Sequence, residues 1–415
     1  MTTAPDPTSL PRLTRAEHGR SAAPIRIIHL GIGNFTRAHQ AWYTEHAPDA
    51  AQWGIAGFTG RSRRMVDKLD PQGNVYTLIT SAPEGDSFEV ISSISSMHEG
   101  GDMEALRKYF VDPNVSIVTS TVTEAGYKRD AHGNLNVHDT DVSEDLAKLR
   151  NDVNASELST VPARIVAGLE ARRAAGADAI TILPCDNLAG NGAAFRRVVE
   201  QAIEAVDPTL LEWTRDNVAW ATSMVDRITP ATTDAELRTV AETKGWYDAA
   251  PVRTEPFLEW VIQGDFPKGR PAWDEAGAVI TDDVEPYEQR KLWMLNGSHS
   301  TLPYLRPRIS SRSHRRSQTA IMGERMVGSC RIVPIRVQRR LSSQTARTLL
   351  QPTHPPPPLP NRHRWFAKTT GTHRPRRQAC ARRRTRNYGS CTSHRRMDRI
   401  PAQVRRYTGQ RCEPR

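Results

Sequence analysis

Apolar residues in this chain gather first in short continuous runs, and only between those runs in stripes. IRIIHLGIG (25–33) is such a run ending in glycines, which predicts a buried strand. FTRAHQAWYTEHA (35–47) then carries helical spacing, and WGIAGFTG (53–60) predicts a second short strand. VSIVTSTVTE (115–124) is β-branched and predicts a third. PARIVAGLEARRAAG (162–176) predicts an amphipathic helix closed by glycine, DAITILPCDN (178–187) another strand, and GAAFRRVVEQAIEAV (192–206) another helix. Alternating strand and helix patterns predict an α/β fold, a parallel sheet with helices on both faces. Residues 1–23 are polar and proline-containing and predict a loose arm. From Glu285 to Tyr304 the pattern is helical, with Gly297 its only glycine.

After Leu305 the periodicity vanishes. HPPPPLP (354–360) predicts polyproline II, and runs such as ARRRTR (381–386) repel themselves. A segment of this kind buries too little apolar surface to offset its ordering entropy, so residues 306–415 are expected to be a disordered Arg/Pro-rich tail.

Charge sharpens the division. Residues 306–415 hold 27 Arg, one Lys and three acids, a net +25, whereas residues 1–305 carry −14. The chain average of +11 suggests a nucleic-acid binder, but the acidic body argues against a polyanion partner. Cys185 is the body's one thiol, with Cys330, Cys380, Cys391 and Cys412 in the tail. The body thus has neither an internal disulfide nor a thiolate zinc cluster, and a reducing, cytoplasmic location is expected. The first residues lack an apolar leader core, and no run of about 18 apolar residues occurs, so no membrane partner is expected.

Two stretches carry candidate chemistry. HLGIGNFTRAH places Gly31 and Gly33 between a strand and a helix, as in a dinucleotide-binding turn. The first glycine would make the turn and the second would let a pyrophosphate approach the backbone. The third glycine of that pattern is missing, with Thr36 in its place. Gly31, Gly33, Asn34 and Phe35 are the candidate cofactor contacts. The second strand ends not in an acid but in Thr59, with Arg61, Arg63 and Arg64 following. Arg61 can accommodate a 2′-phosphate and so leans toward NADP; a solvated loop is the plain alternative.

The second stretch is EQRKLWMLNGSH. At about 100° per residue, Glu288, Lys291, Asn296 and His299 fall on one broad face together with Leu292 and Leu295, so that face is expected to be buried. Burial pulls a lysine down from its ordinary range and makes Lys291 a candidate general base. A solvated helix with scattered polar residues is the alternative. Asn187 and Asp226, in CDNLAGNG and SMVDRITP, follow strand ends, where open α/β sheets place ligands; a loop-capping role is the alternative for each.

HLGIGNFTRAHQAWY, TVTEAGY, PCDNLAGNG, SMVDRITP and KLWMLNGSH, in that order, resemble the signatures of the polyol-specific long-chain dehydrogenases, the mannitol 2-dehydrogenase and fructuronate reductase type, over roughly residues 25–305. The resemblance implies a Rossmann-like dinucleotide-binding domain (25–280) after an N-terminal arm (1–24), and the truncated start of a helical substrate domain (281–305) before the tail. It implies metal-independent hydride transfer between NAD, by family habit, and a polyol, keto-sugar or sugar keto-acid. It implies Lys291 as base, Asn187 and Asn296 polarising the carbonyl or holding the alkoxide, His299 orienting substrate or lysine, Asp226 binding a sugar hydroxyl, and Glu288 on a proton path to solvent. A monomer with no specific nucleic-acid partner is expected.

The resemblance stops at Leu305, where the family continues with a long helical domain. The ratio of 27 Arg to one Lys beyond that point is what a shifted reading frame in a GC-rich gene would give. On that reading the tail leaves the Lys291 pocket uncovered, the lysine faces water with an ordinary pKa, and the chain is a weak catalyst. The alternative function is an inactive, truncated family member whose basic tail binds polyanions without specificity.

Overall fold

The computed structural model describes residues 6–60 and 62–296, with Leu295 and Asn296 described by backbone alone. The apolar runs pair into one six-stranded parallel sheet. Its order is β5 (Ile94–His98), β2 (Gly54–Phe58), β1 (Ile25–Leu30), β6 (Ile117–Ser120), β7 (Ile180–Pro184), β8 (Val218–Trp220). The register sets Ile28 beside Ala56 on one side and Val118 on the other. Strand order reverses at the β1/β6 pair, and ligands of open α/β sheets bind at the carboxyl ends beside such a reversal.

Successive strand residues face opposite ways. Ile28, Ala56, Val118 and Ile182 therefore enter one core, with Phe110, Val166 and Phe195 from the helices Met103–Val111, Val161–Ala174 and Asn191–Val206. Ile27, Ile55, Ile117 and Leu183 enter the other, with Ala41 and Tyr43 of the helix Gln40–His46 and with Trp260 and Trp273. Two small sheets complete the second layer: β10 (Val252–Thr254), β3 (Tyr76–Ala82), β4 (Gly85–Ile91), and β12 (Val279–Ile280), β11 (Glu259–Gln263), β9 (Thr222–Asp226).

Four expectations change. The start of the chain is not loose: Leu13 is fully buried and its N–H donates to Tyr247 O at 2.8 Å. The guanidinium of Arg15 donates to the carbonyls of Gly73, Arg20, Ser92 and Ile94 at 2.6–3.0 Å. The helix of 35–47 breaks at His39 (φ −123°, ψ −88°) into Asn34–Ala38 and Gln40–His46. Helix Val161–Ala174 is not one-sided. Pro162 to Leu169 are all buried, because the helix packs against both Met103–Val111 and Asn191–Val206. At Gly168 an added Cβ would lie 2.5 Å from the Phe110 ring, so the absence of a side chain permits the approach. Finally, the last helical stretch is α-helical only over Glu285–Arg290 and becomes a π-helix over Lys291–Asn296. The wider π turn rotates its residues away from their places on a 100° wheel. Leu292, expected on the buried face with Lys291, is 52% exposed. The expected tail, 306–415, lies outside the described residues. Among the described residues no helix is long and apolar enough to cross a membrane.

Candidate active site

The loop leaving β1 is built on a buried polar cluster. His29 is fully buried, with Nδ1 2.7 Å from Thr119 Oγ1 and Nε2 2.9 Å from both Thr121 Oγ1 and Thr36 Oγ1. Burial pushes the imidazole down to about 3, so it is neutral. Thr121 Oγ1 also donates to Gly31 O at 2.7 Å. Thr36, the residue in place of a third glycine, is thus a buried tie that holds the turn from beneath.

The two glycines have different reasons. Gly31 has φ +99°, and a Cβ there would meet Thr121 O at 2.2 Å, so the fold itself requires glycine. Gly33 has φ −134°, open to any residue, and the nearest atom to an added Cβ is 3.9 Å away. Nothing among the described residues requires glycine at 33, whereas a ligand lying on the loop would. The loop from Gly31 to Gly33 therefore leaves room for a dinucleotide.

The neighbouring side chains are turned elsewhere. Asn34 donates to Pro230 O (2.9 Å) and Thr232 Oγ1 (3.1 Å) and accepts from Arg37 (2.7 Å). Phe35 stacks on His39 at 4.8 Å between centroids. At the end of β2, Thr59 is buried and accepts from Gly100 N at 3.1 Å. Arg61 lies outside the described residues. Arg63 is engaged by Asp67 at 2.9 Å.

The second half of the site sits at the ends of β7 and β9. Lys291 Nζ donates to Asn187 Oδ1 at 2.7 Å and to Val225 O at 2.5 Å. Burial holds this amine below the ordinary lysine range, and the carboxylates of Asp226, Glu259 and Glu288 raise it only in part. The expectation of a water-facing lysine with an ordinary pKa is therefore corrected: the strand ends half-bury the amine and fix it with two acceptors. Asp226 closes β9 opposite Glu259 of β11. Burial raises its carboxyl to about 6, with Lys291 pulling the other way. Glu259 is occupied by the buried Arg290. Glu288 accepts from Gly190 N at 2.8 Å, and burial raises its carboxyl too. His299 and the side chain of Asn296 lie outside the described residues.

So the fold brings Lys291, Asn187, Asp226 and Glu288 together from three segments: the end of β7, the end of β9 and the helical stretch 285–296. It also adds residues that the sequence motifs did not single out. Asp186 is buried at the end of β7 and accepts from Val122 N, Ser120 Oγ (3.1 Å) and Tyr127 OH (2.7 Å). Asn191 ties the same turn to β9 through Ser223 N and O. The available signal was an acid directly before Asn187 at a strand end.

The family model described as "Mannitol dehydrogenase Rossmann domain" matches residues 25–275. The chain is 38% identical to the D-mannonate oxidoreductase of Escherichia coli K12 over 313 residues, 74% of this chain and 63% of that protein. It is 38% identical to the mannitol 2-dehydrogenase of Cereibacter sphaeroides, over 70% of this chain and 61% of that protein. The solved mannitol 2-dehydrogenase of Pseudomonas fluorescens, a ternary complex with NAD and D-mannitol, superposes with a TM-score of 0.68 at 32% identity. That match covers 82% of this chain and 72% of the other. The chain spans about three fifths of the length of the curated relatives it matches. A family model matched along most of the chain, over the same glycine loop and strand ends that form the site, makes this protein a member of the mannitol dehydrogenase family.

Proposed function

We propose that the chain is an oxidoreductase that moves a hydride between NAD(H) and a polyol, its keto-sugar or a related sugar keto-acid, with Lys291 as general base. The observation that carries this reading is the Lys291 amine, depressed by burial and aimed by Asn187 and Val225 at the carboxyl ends of the strands. When bound, the nicotinamide supplies the hydride acceptor or donor. The protein's own groups do the rest. A neutral Lys291 takes the hydroxyl proton as the alcohol becomes a carbonyl and returns it in reduction. Asn187, held against the amine, is placed to polarise the substrate oxygen through its amide, with Asn296 as its proposed counterpart. Asp226, on the same side as Lys291, suits a further sugar hydroxyl. Glu288 stands between the lysine helix and Gly190, in place to pass a proton outward. His299 is proposed to orient the substrate.

NAD is favoured over NADP because the mannitol 2-dehydrogenase neighbour holds NAD and because Arg63 is spent on Asp67. A relative named polyol:NADP oxidoreductase, from Gluconobacter oxydans at 37% identity, keeps the phosphorylated cofactor as the alternative. The test is turnover of mannitol, arabinitol and mannonate with NAD by the chain and by Lys291→Ala. Loss of at least about a hundredfold in the variant, the scale of a general base, with NADH affinity unchanged, is the expected result. Equal turnover in both would move the base elsewhere.

A further inference from the structure

We infer that Asp186 is a positioning residue that ties the floor of the glycine loop to the acceptors of the Lys291 amine. The inference rests on Lys291 acting as the base of the proposed dehydrogenase.

All three donors to the Asp186 carboxylate come from the end of β6 and the segment that follows it: Ser120 Oγ, Val122 N and Tyr127 OH. That segment is the wall on which the glycine loop lies. A Cβ on Gly31 would touch Thr121 O at 2.2 Å and Val122 Cγ1 at 3.5 Å. The main chain of the same residue points the other way. Asp186 O accepts from Asn191 Nδ2 at 3.0 Å, and Asn191 also bonds Ser223 O (2.7 Å) and Ser223 N (3.1 Å). The next residue along from Asp186 is Asn187, and two along from Ser223 is Val225, the two acceptors of Lys291 Nζ. One residue therefore fixes the loop that takes the cofactor on one side and the amine on the other.

The chemistry explains why a carboxyl is kept there. An ionised carboxylate only accepts, and its two oxygens serve three donors at once. Asparagine of the same shape would turn an NH2 toward at least one of those donors, whichever way its amide faces. Burial raises Asp186 to about 7 despite the three hydrogen bonds, so the acid is retained at a desolvation cost that an amide would avoid.

The test uses the full chain, with its eight lysines labelled by incorporation of 13C,15N-lysine so that the amines stay unmodified. The Lys291 resonance is identified with Lys291→Arg. Its titration by NMR and the NADH dissociation constant by fluorescence are read in wild type, Asp186→Asn and Asp248→Asn. Asp248 is an equally buried carboxyl that accepts from Gln72, Thr77 N and Ala250 N, away from Lys291. In Asp186→Asn the Lys291 amine is expected to slip from its half-buried position, and because burial is what depresses it, its titration should move up by about one pH unit, while NADH binding weakens about tenfold. Asp248→Asn should leave both in place. An unchanged Lys291 titration in folded Asp186→Asn, or an equal change in Asp248→Asn, overturns the inference. Should Asp186→Asn not fold, Ser120→Ala with Tyr127→Phe removes two donors from the same carboxylate, and an unmoved Lys291 titration there overturns it equally. Failure of wild type to bind NADH would sink the dehydrogenase reading instead, and the Lys291 titration would still decide the role of Asp186.

Discussion

The amine of Lys291 and the amide oxygen of Asn187 lie 2.7 Å apart across 104 residues of sequence. An amide is a neutral acceptor. It can aim the lysine while favouring the ammonium form far less than a carboxylate at that distance would. Burial can then lower the amine unopposed at its nearest contact. Asn187→Asp reverses this balance with almost no change in shape. The acid limb of the pH profile for polyol oxidation should move upward by at least about one pH unit, because the base must lose its proton before it can act. NADH affinity should not change. A limb that stays in place would mean that Lys291 is not the titrating group.

The two loop glycines should separate folding from binding. Gly31→Ala puts a side chain into Thr121 O in a left-handed conformation, a combination worth roughly 2–4 kcal/mol of stability. At Gly33 the nearest atom to an added Cβ is Gly31 O at 3.9 Å, and the backbone is ordinary and extended. The unfolding free energy of Gly33→Val should stay within about 0.5 kcal/mol of wild type. NADH affinity should nevertheless fall by at least about tenfold, since the branched side chain occupies the cradle. Thermal melts paired with NADH titration check both, and a Gly33→Val protein that binds NADH normally would remove the cradle assignment.

The parts of the fold legible in the sequence are those whose signals are local. β1, β2, β6 and β7 are buried on both faces, so they stand as unbroken apolar runs, and the parallel sheet can be inferred from them. The hairpin of β3 and β4 is partly exposed and interrupts its apolar residues with polar ones, and it gives no such run. Lys291 and Asn187 stood in recognisable motifs, yet their contact depends on β7 and β9 ending together, which no local pattern encodes. The π turn at Lys291 is silent in the sequence because an extra residue per turn leaves no compositional mark. Residues 6–20 read as loose because their anchors are long-range: an arginine among polar residues gives no hint that its partners are carbonyls up to 79 residues away.

Arg15 offers a direct test of that anchoring. Its guanidinium serves four carbonyls from three parts of the chain, at Gly73, Arg20, Ser92 and Ile94. Truncation removes charge-assisted bonds and leaves partly buried carbonyls without partners. Arg15→Ala should therefore cost about 3 kcal/mol in urea unfolding, while Arg12→Ala, which loses one ring contact to Tyr247, should cost under about 1 kcal/mol. Equal small losses in both would restore the view of a loose arm.

The buried histidine under the glycine loop sets a pH dependence with a definite sign. Burial depresses His29 to about 3 in the folded state, whereas the unfolded chain takes up its proton near pH 6.5. Between those values the unfolded state binds more protons, so stability rises with pH across the window. The contribution is complete above about pH 6.5 and is lost as pH falls toward 3. His39, also held near 3 by burial, acts in the same direction. Asp186 and Asp226, raised by burial to about 7 and about 6, act in the opposite one, since there the folded state holds the extra proton. The total curve therefore sums opposed contributions, and a single substitution isolates one of them. His29→Gln keeps a polar group for Thr36, Thr119 and Thr121 but cannot be protonated. It should lose stability at pH 7.5, through poorer packing in a full core, and recover part of that deficit at pH 5. The gap to wild type should narrow by about 2 kcal/mol between those pH values, the linkage free energy of one proton taken up about 1.5 pH units below its unfolded midpoint. Urea unfolding of both proteins at the two pH values measures it. A gap that is the same at pH 5 and pH 7.5 would mean that His29 is protonated in the folded protein, and that the threonine cluster holds an imidazolium.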